Sequence, residues 1–294
     1  MIVITTPTGN IGHRVLSNVL EAGAPLRVIA RDTARIPETL RDRIEVVEGS
    51  HGDPRVLDRA FRGADTVFWL VPPNPKAQTV DEAYVAFTRP AAEALRHHRV
   101  QRVVDISALG RGSPWAEKAG LVTSSLAMDD LIASTGVAFR AVTAPSFMDN
   151  IARQVAPIRD RGMFFLPFDG DKKMPVAATR DIAASAARLL LDTSWTGTDH
   201  ASVLGPEDLS FHDMAAIMSG VLDTPIRYQQ ISLQAYKAGF IERGMSEAVA
   251  QGMSDMAWAK NEGLDNTELR TPENTTPTSF RQWCKEVLAP AVLG

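Results

Sequence analysis

Ile2-Val3-Ile4-Thr5-Thr6-Pro7-Thr8-Gly9-Asn10-Ile11-Gly12 is the stretch that decides the fold of this chain. A short apolar run meets a Thr/Gly-rich turn, and Val15, Leu16, Val19 and Leu20 follow at helical spacing. The pattern predicts a strand, a tight turn and a helix. Such a turn leaves N–H groups of the first helical turn unpaired, and the helix dipole adds partial positive charge there. It therefore suits a phosphate or pyrophosphate. Gly9 permits close backbone approach to the anion, and Gly12 lets the helix pack tightly on its strand, as in the dinucleotide-binding fingerprint. Thr6 stands where the first glycine of that fingerprint would be, which predicts a less open turn. A glycine match alone is weak evidence. One that follows a strand and opens a helix is much stronger.

The segments that follow repeat the alternation. Strands are expected at Leu26 to Ala30, ending in Arg31-Asp32, and at Ile44 to Glu48, closing at Gly49-Ser50-His51-Gly52-Asp53. Asp53 followed by Pro54 is the favoured start of a helix. Asp65 to Val71 is continuously apolar at its centre, as a parallel strand covered on both faces should be. A helix from Val80 to His98, a strand from Arg102 to Ser107, a helix over about residues 119–134 and a strand from Val137 to Val142 complete the first half. Strands alternating with helices imply right-handed crossovers and a doubly wound parallel sheet, an α/β Rossmann fold. Ligands of such sheets bind at the carboxyl ends of the strands. Those ends carry Thr6 to Gly12, Arg31, Gly52-Asp53, Val71-Pro72-Pro73, Ser107 and Thr143 to Ser146.

Beyond Asn150 the pattern is less regular. An aromatic run, Met163 to Phe168, leads to a helix from Thr179 to Leu191 and a short strand at Ser202-Val203-Leu204. Ser210 to Asp213 opens another helix as a capping box, Ile226 to Ile231 reads as a strand, Leu233 to Lys260 as mostly helix, and Thr276-Pro277 as the start of a last helix. The expected organisation is a nucleotide-binding domain over residues 1–150 and a smaller α+β cap over residues 151–294 that forms the substrate cleft. Met163, Phe164, Phe165 and Phe168 could wall that cleft, although apolar runs more often form core.

Composition narrows the function. Of 294 residues, 45% are hydrophobic and 22% charged, and the net charge of −4 comes with no basic stripe, so nucleic acid is not the expected partner. The lone Cys284 fits a reducing compartment, the first strand leaves no room for a signal peptide, and no apolar run is long enough to cross a bilayer. A cytoplasmic protein with a small-molecule substrate is expected. The six histidines show no metal-ligand spacing, and no G-x-S-x-G elbow is present, so no metal site or covalent nucleophile is expected.

Several stretches together resemble the NmrA-like family, an atypical branch of the short-chain dehydrogenase/reductases. They are Thr8-Gly9-Asn10-Ile11-Gly12, Arg31, Ser107-Ala108-Leu109-Gly110, Thr135-Gly136-Val137 leading to Ser146-Phe147-Met148-Asp149-Asn150, and Met174-Pro175-Val176 before Arg180-Asp181-Ile182-Ala183. The resemblance implies a bound NAD(P) and, in many members, reduction of quinones, enones, imines or similar conjugated compounds; other members sense the nucleotide without turnover. It implies that Thr8 to Gly12 hold the pyrophosphate, that Gly52 and Asp53 lie near the adenine, and that Val71 and Pro72 line the ribose side. Ser107 and the loop from Thr143 to Phe147 would flank the nicotinamide. The superfamily's catalytic Tyr and Lys fall on Leu121 and Ser125, which supply neither a phenolic proton nor an ammonium. Thr143 replaces a frequent Arg.

Two residues remain as catalytic candidates. Ser107 reads as a nicotinamide-side group or as a plain strand-end turn residue. Lys118 falls at helical spacing with Leu121 and Ser125, against the plainer reading of a solvated lysine beside Glu117. For the cofactor, an acid at the end of the second strand would favour NAD; Arg31 offers a planar fork for a 2′-phosphate and favours NADP(H), with NAD(H) possible. Asp32 opposes this unless it caps the helix beginning near Thr33.

Overall fold

A computed structural model describes residues 1–294. Twelve strands are formed: β1 Ile2–Thr5, β2 Leu26–Ala30, β3 Glu45–Glu48, β4 Thr66–Trp69, β5 Arg102–Ala108, β6 Ala138–Ala144, β7 Ser146–Phe147, β8 Met163–Leu166, β9 Met174–Ala177, β10 Thr198–Ser202, β11 Asp208–Leu209 and β12 Arg227–Gln230. The helices are α1 Gly12–Glu21, α2 Glu38–Arg41, α3 Pro54–Phe61, α4 Phe87–His97, α5 Leu121–Ala133 and α6 Val155–Arg161. They continue as α7 Thr179–Leu191, α8 Phe211–Leu222, α9 Leu233–Glu242, α10 Glu247–Glu262, α11 Phe280–Trp283 and α12 Ala289–Leu293.

Seven strands form one parallel sheet in the order β10-β6-β5-β4-β1-β2-β3. The order reverses at β1, whose neighbours are β2 on one side and β4 on the other, so the crevice lies over the carboxyl ends of β1 and β4. Alternate residues of each strand feed two cores. Ile2, Ile4, Val104, Ile106 and Val142 pack under α1 and α7, whereas Val3, Val67, Val103, Phe139 and Ala141 pack under α3, α4 and α5. That two-sided cover is why these strands read as unbroken apolar runs. Thr5 fastens β1 to β4: its Oγ1 donates to the Phe68 carbonyl at 3.1 Å and accepts from the Leu70 N–H at 3.0 Å.

A third core lies in the later half. Phe164, Phe168, Phe211, Phe280 and Trp283 are buried there with Met148 and Met174, around the small sheets β11-β9-β7 and β12-β8. Phe168 stacks on Phe211 with ring centroids 5.1 Å apart. The aromatic run is therefore core rather than cleft wall at Phe164 and Phe168. Residues 179–203, beyond the expected boundary at 150, return to the first sheet: α7 packs on α1, and β10 pairs with β6.

Three elements differ from the sequence reading by more than a small shift at their ends, each for a local reason. The strand expected at Ser202-Val203-Leu204 runs instead over Thr198–Ser202, because its partners are Phe139 to Thr143 rather than the apolar residues that follow. The helical stretch from Leu233 breaks at Gly244, whose φ of +83° suits glycine, and Ser246 caps the helix that resumes. The last helix starts at Phe280, capped by Ser279, since Thr276 and Thr278 are drawn into hydrogen bonds with Leu204 and Asp181.

Candidate functional site

The β1–α1 turn has the shape its glycines imply. A Cβ on Gly12 would sit 2.0 Å from the Thr6 carbonyl oxygen, so only glycine lets the helix start this close to the strand end. Thr6, at the position of the missing first glycine, has φ +51°; a left-handed threonine stores strain of about 1–3 kcal/mol, a feature that gathers at functional sites. The Gly9 N–H closes the turn on the Thr6 carbonyl at 3.1 Å. The N–H groups of Asn10, Ile11 and Gly12 have no acceptor in the protein. Ile11 itself is buried, so its side chain belongs to the core and only its backbone is offered at the turn.

The electrostatics of this turn favour an anion. The first turn of α1 contains no acid, although acids are the residues the dipole stabilises there. It contains His13, whose Nδ1 lies 2.8 Å from the Gly9 carbonyl, and Arg14, whose buried Nε has no partner. The buried Thr6 Oγ1 is likewise unpaired. Unpaired N–H groups, an unpaired guanidinium and a cradle that a side chain would fill are what a pyrophosphate requires. The residues present fit a dinucleotide. Arg14 was not singled out in the sequence, where an arginine in an amphipathic helix looks like any solvated charge.

At the end of β2, Arg31 is exposed and takes part in no ion pair. Asp32 does cap the following 3₁₀ turn, Thr33–Arg35: its carboxylate accepts from the Ala34 N–H at 3.0 Å. Nearby, His51 packs edge-on against Trp69 and Phe87, with centroids 5.2 and 4.9 Å away. Burial lowers its pKa to about 4, and the Arg31 charge acts in the same direction. Gly52 lies against Phe87, whose ring a Cβ would strike at 2.6 Å. Asp53 is exposed, and its carboxylate caps α3 by accepting from Arg55 N–H at 2.8 Å.

Over the centre of the sheet, Val71 is buried and Pro72 exposed. Ser107 lies one residue from the end of β5, beside Thr143 of β6. Its hydroxyl is 2.6 Å from Asp129 Oδ2 on α5. Thr143, on the same face of the sheet, has its Oγ1 3.1 Å from Ser202 Oγ on β10. Phe147 packs half-buried against the α1–α7 core. Leu121 is buried beneath Val249 of α10, and Ser125 is buried one turn along α5. Lys118 is exposed on the 3₁₀ turn Ala116–Lys118 and forms no ion pair.

Three polar groupings have no counterpart in the sequence reading. Asp129 lies behind Ser107, next to the fully buried Asp105, with Arg111 Nη2 at 3.2 Å. On its far side Asp129 lines a cavity of about 400 Å³ shared with Arg111, Thr143 and His200, beside rather than over the phosphate turn. The second grouping is a buried ion pair of Lys260 with Asp265, which also accepts from the Ser146 N–H at 3.2 Å. It ties the end of α10 to the loop expected to flank the nicotinamide. At the surface, Asp58 of α3 joins His97 and His98, with ligand atoms within 4.8 Å of one another. Spacing along the chain does not show this grouping, because Asp58 comes from a separate helix.

Comparison with known proteins follows the same outline. Residues 7–193 match the family model described as NAD(P)H-binding. A (4-alkanoyl-5-oxo-2,5-dihydrofuran-3-yl)methyl phosphate reductase from Streptomyces griseus is 29% identical over 290 residues, covering 97% of each chain. An NAD(P)H azoreductase from Xenophilus azovorans is 27% identical over 256 residues, 87% of this chain and 86% of its own. The NADPH complex of an Escherichia coli quinone oxidoreductase superposes with a TM-score of 0.77 at 22% identity, covering 100% of this chain and 99% of that one, which shows a shared fold.

Proposed function

Because this chain belongs to the NAD(P)H-binding family, within the NmrA-like grouping its sequence resembles, we propose that it is an NAD(P)H-dependent reductase of a flat conjugated small molecule such as a quinone, enone or imine. The observation that carries this is the anion-ready β1–α1 turn at the switch point, two strands from Ser107. Two strand spacings are about 10 Å, a distance the nicotinamide half of a dinucleotide spans. In this reading residues 1–150, completed by α7 and β10, hold the nucleotide, and the remainder of residues 151–294 closes the cleft. Thr6, Thr8, Gly9, Asn10, Ile11 and Gly12 hold the pyrophosphate, with Arg14 beside them. Arg31, Gly52 and Asp53 take the adenosine side, Val71 and Pro72 the ribose side, and Ser107, Thr143 and Phe147 the strand ends nearest the nicotinamide.

Bound NAD(P)H would supply the hydride. The protein supplies orientation, since α5 carries no Tyr or Lys with which to protonate a product at once. Conjugated acceptors tolerate that lack because they spread the negative charge. The relatives named above, which reduce an alkanoyl-bearing oxo-dihydrofuran, azo compounds and quinones, support this choice. The test is a panel of a quinone, an enone, an azo dye and a simple ketone, followed by NADPH absorbance. Conjugated acceptors should exceed the ketone by about a hundredfold or more. Efficient turnover of the ketone would overturn the assignment. Tight NADPH binding with no turnover of any acceptor would favour a nucleotide-sensing role instead.

Cofactor choice has its own test. With Asp32 engaged as a cap, Arg31 is the free charge at the end of β2. Loss of one charge-assisted contact to a 2′-phosphate costs about 1.5–3 kcal/mol, or roughly tenfold to a hundredfold in affinity. Arg31→Ala should weaken NADPH by that factor and leave NADH nearly unchanged in a titration. Equal losses for the two would show that Arg31 does not read the phosphate.

A further inference from the structure

Asp105 and Ser107 leave β5 on the same face, toward α5, where Asp129 meets both. Ser107 Oγ and Asp129 Oδ2 are 2.6 Å apart. Neither oxygen of Asp105 has a donor facing it, and Asp129 Oδ1 has none either. Two facing carboxyl groups in this position satisfy one another only when one carries a proton and donates it to the other. Arg111 holds the remaining charge, with Nη2 3.2 Å from Asp129 and Nη1 2.7 Å from Asp130.

We propose that Ser107, Asp129 and Asp105 form a proton relay that delivers the proton completing reduction, in the place left by the absent Tyr–Lys pair, and that the relay refills through the cavity beyond Asp129. The proposal rests on the reductase reading. Hydride addition leaves an electron pair on an acceptor heteroatom. The Ser107 hydroxyl gives its proton to that atom while the proton of Asp105 passes to Asp129, and the Asp129 carboxylic acid so formed returns one proton to Ser107 Oγ. The pair is left doubly ionised until water, entering by the cavity, restores one proton. One hydride and one proton are consumed per acceptor. Ser107 is the group that touches substrate; Asp129 and Asp105 act through it.

Geometry and charge agree on where the proton rests. Burial, then the facing Asp129 charge, hold the Asp105 carboxyl well above the usual carboxylate range, and burial also raises Asp129. The other charged groups around the pair are Arg111 and Asp130, with Asp199 and His200 of β10 and Glu268 across the cavity. On the α10 side, Lys260 and Asp265 are closed on each other. Raising pH removes the shared proton, so activity should fall on the alkaline side.

Infrared spectroscopy of the ligand-free protein tests the resting proton directly. A protonated-carboxyl stretch should be present at neutral pH and absent in Asp105→Asn. In turnover with a quinone, Asp105→Asn should lose the alkaline fall of kcat, and Ser107→Ala should lose about a hundredfold or more in kcat. Ser107→Thr, which keeps a hydroxyl, should recover most of that rate. Absence of the carboxyl band overturns the relay, as does Ser107→Ala turning over at the wild-type rate with the wild-type pH profile. A band with no turnover of any acceptor by the wild type overturns the reductase reading and the relay's role with it, leaving only the shared proton. Should Asp105→Asn fail to fold, Ser107→Ala, which removes a single hydroxyl, decides alone.

Discussion

Gly12→Val is expected to abolish NAD(P)H binding and to lower the melting temperature. The Cβ alone would lie 2.0 Å from the Thr6 carbonyl oxygen and 2.8 Å from its carbon, both backbone atoms. The turn cannot easily yield, because Thr5 staples β1 to β4 and Thr6 is already left-handed. Overpacking of this kind costs about 1–3 kcal/mol, more where backbone must move. The damage is thus to the turn itself, and through it to the cofactor. Gly9→Ala separates the two effects. Its Cβ would meet only the Thr6 carbonyl oxygen, at an ordinary 3.5 Å, so the fold should hold while a methyl group stands where the pyrophosphate approaches. Calorimetric titration with NADPH and thermal melting of both variants measure this. Wild-type affinity in Gly12→Val would remove the phosphate assignment.

The second large effect is expected at Lys260. Lys260→Met should destabilise the protein by about 3–5 kcal/mol, because it leaves the Asp265 carboxylate buried with one N–H, that of Ser146, as its remaining donor. Asp265 Oδ1 has no partner even with the lysine in place. The double variant Lys260→Met/Asp265→Leu should regain much of that loss, since a buried ion pair exchanged for apolar contact is often near neutral. Urea denaturation of the two single variants and the double one gives the coupling. Additive single losses would show that the pair does not act as a unit. The same variants should weaken NADPH binding if the Ser146 loop borders the nicotinamide.

Much of the first half was legible because its signals are local. A run such as Val67-Phe68-Trp69, an Asp-Pro helix start and a glycine turn each state their structure within a few residues, and β2 begins and ends where the pattern places it, as α7 does in the second half. The cap was harder to read. Its strands are short and polar, as β10 and β12 are, and their positions depend on partners far along the chain.

By itself the sequence determined the parallel nucleotide-binding architecture, the glycine turn and the lack of Tyr and Lys on α5, because periodicity, turn chemistry and residue identity are properties of neighbours. Asp32 belongs to this class too, since its cap lies two residues away. Only the tertiary structure decided which charges lose their water. Asp105 sits in the middle of β5, Asp129 on a helix, and Lys260 and Asp265 on either side of a glycine turn. Nothing near them in the chain distinguishes them from solvated charges. Burial and pairing arise when β5 meets α5 and when α10 closes over the Ser146 loop. The energy of a charge is set by that surrounding, which no short stretch of sequence contains.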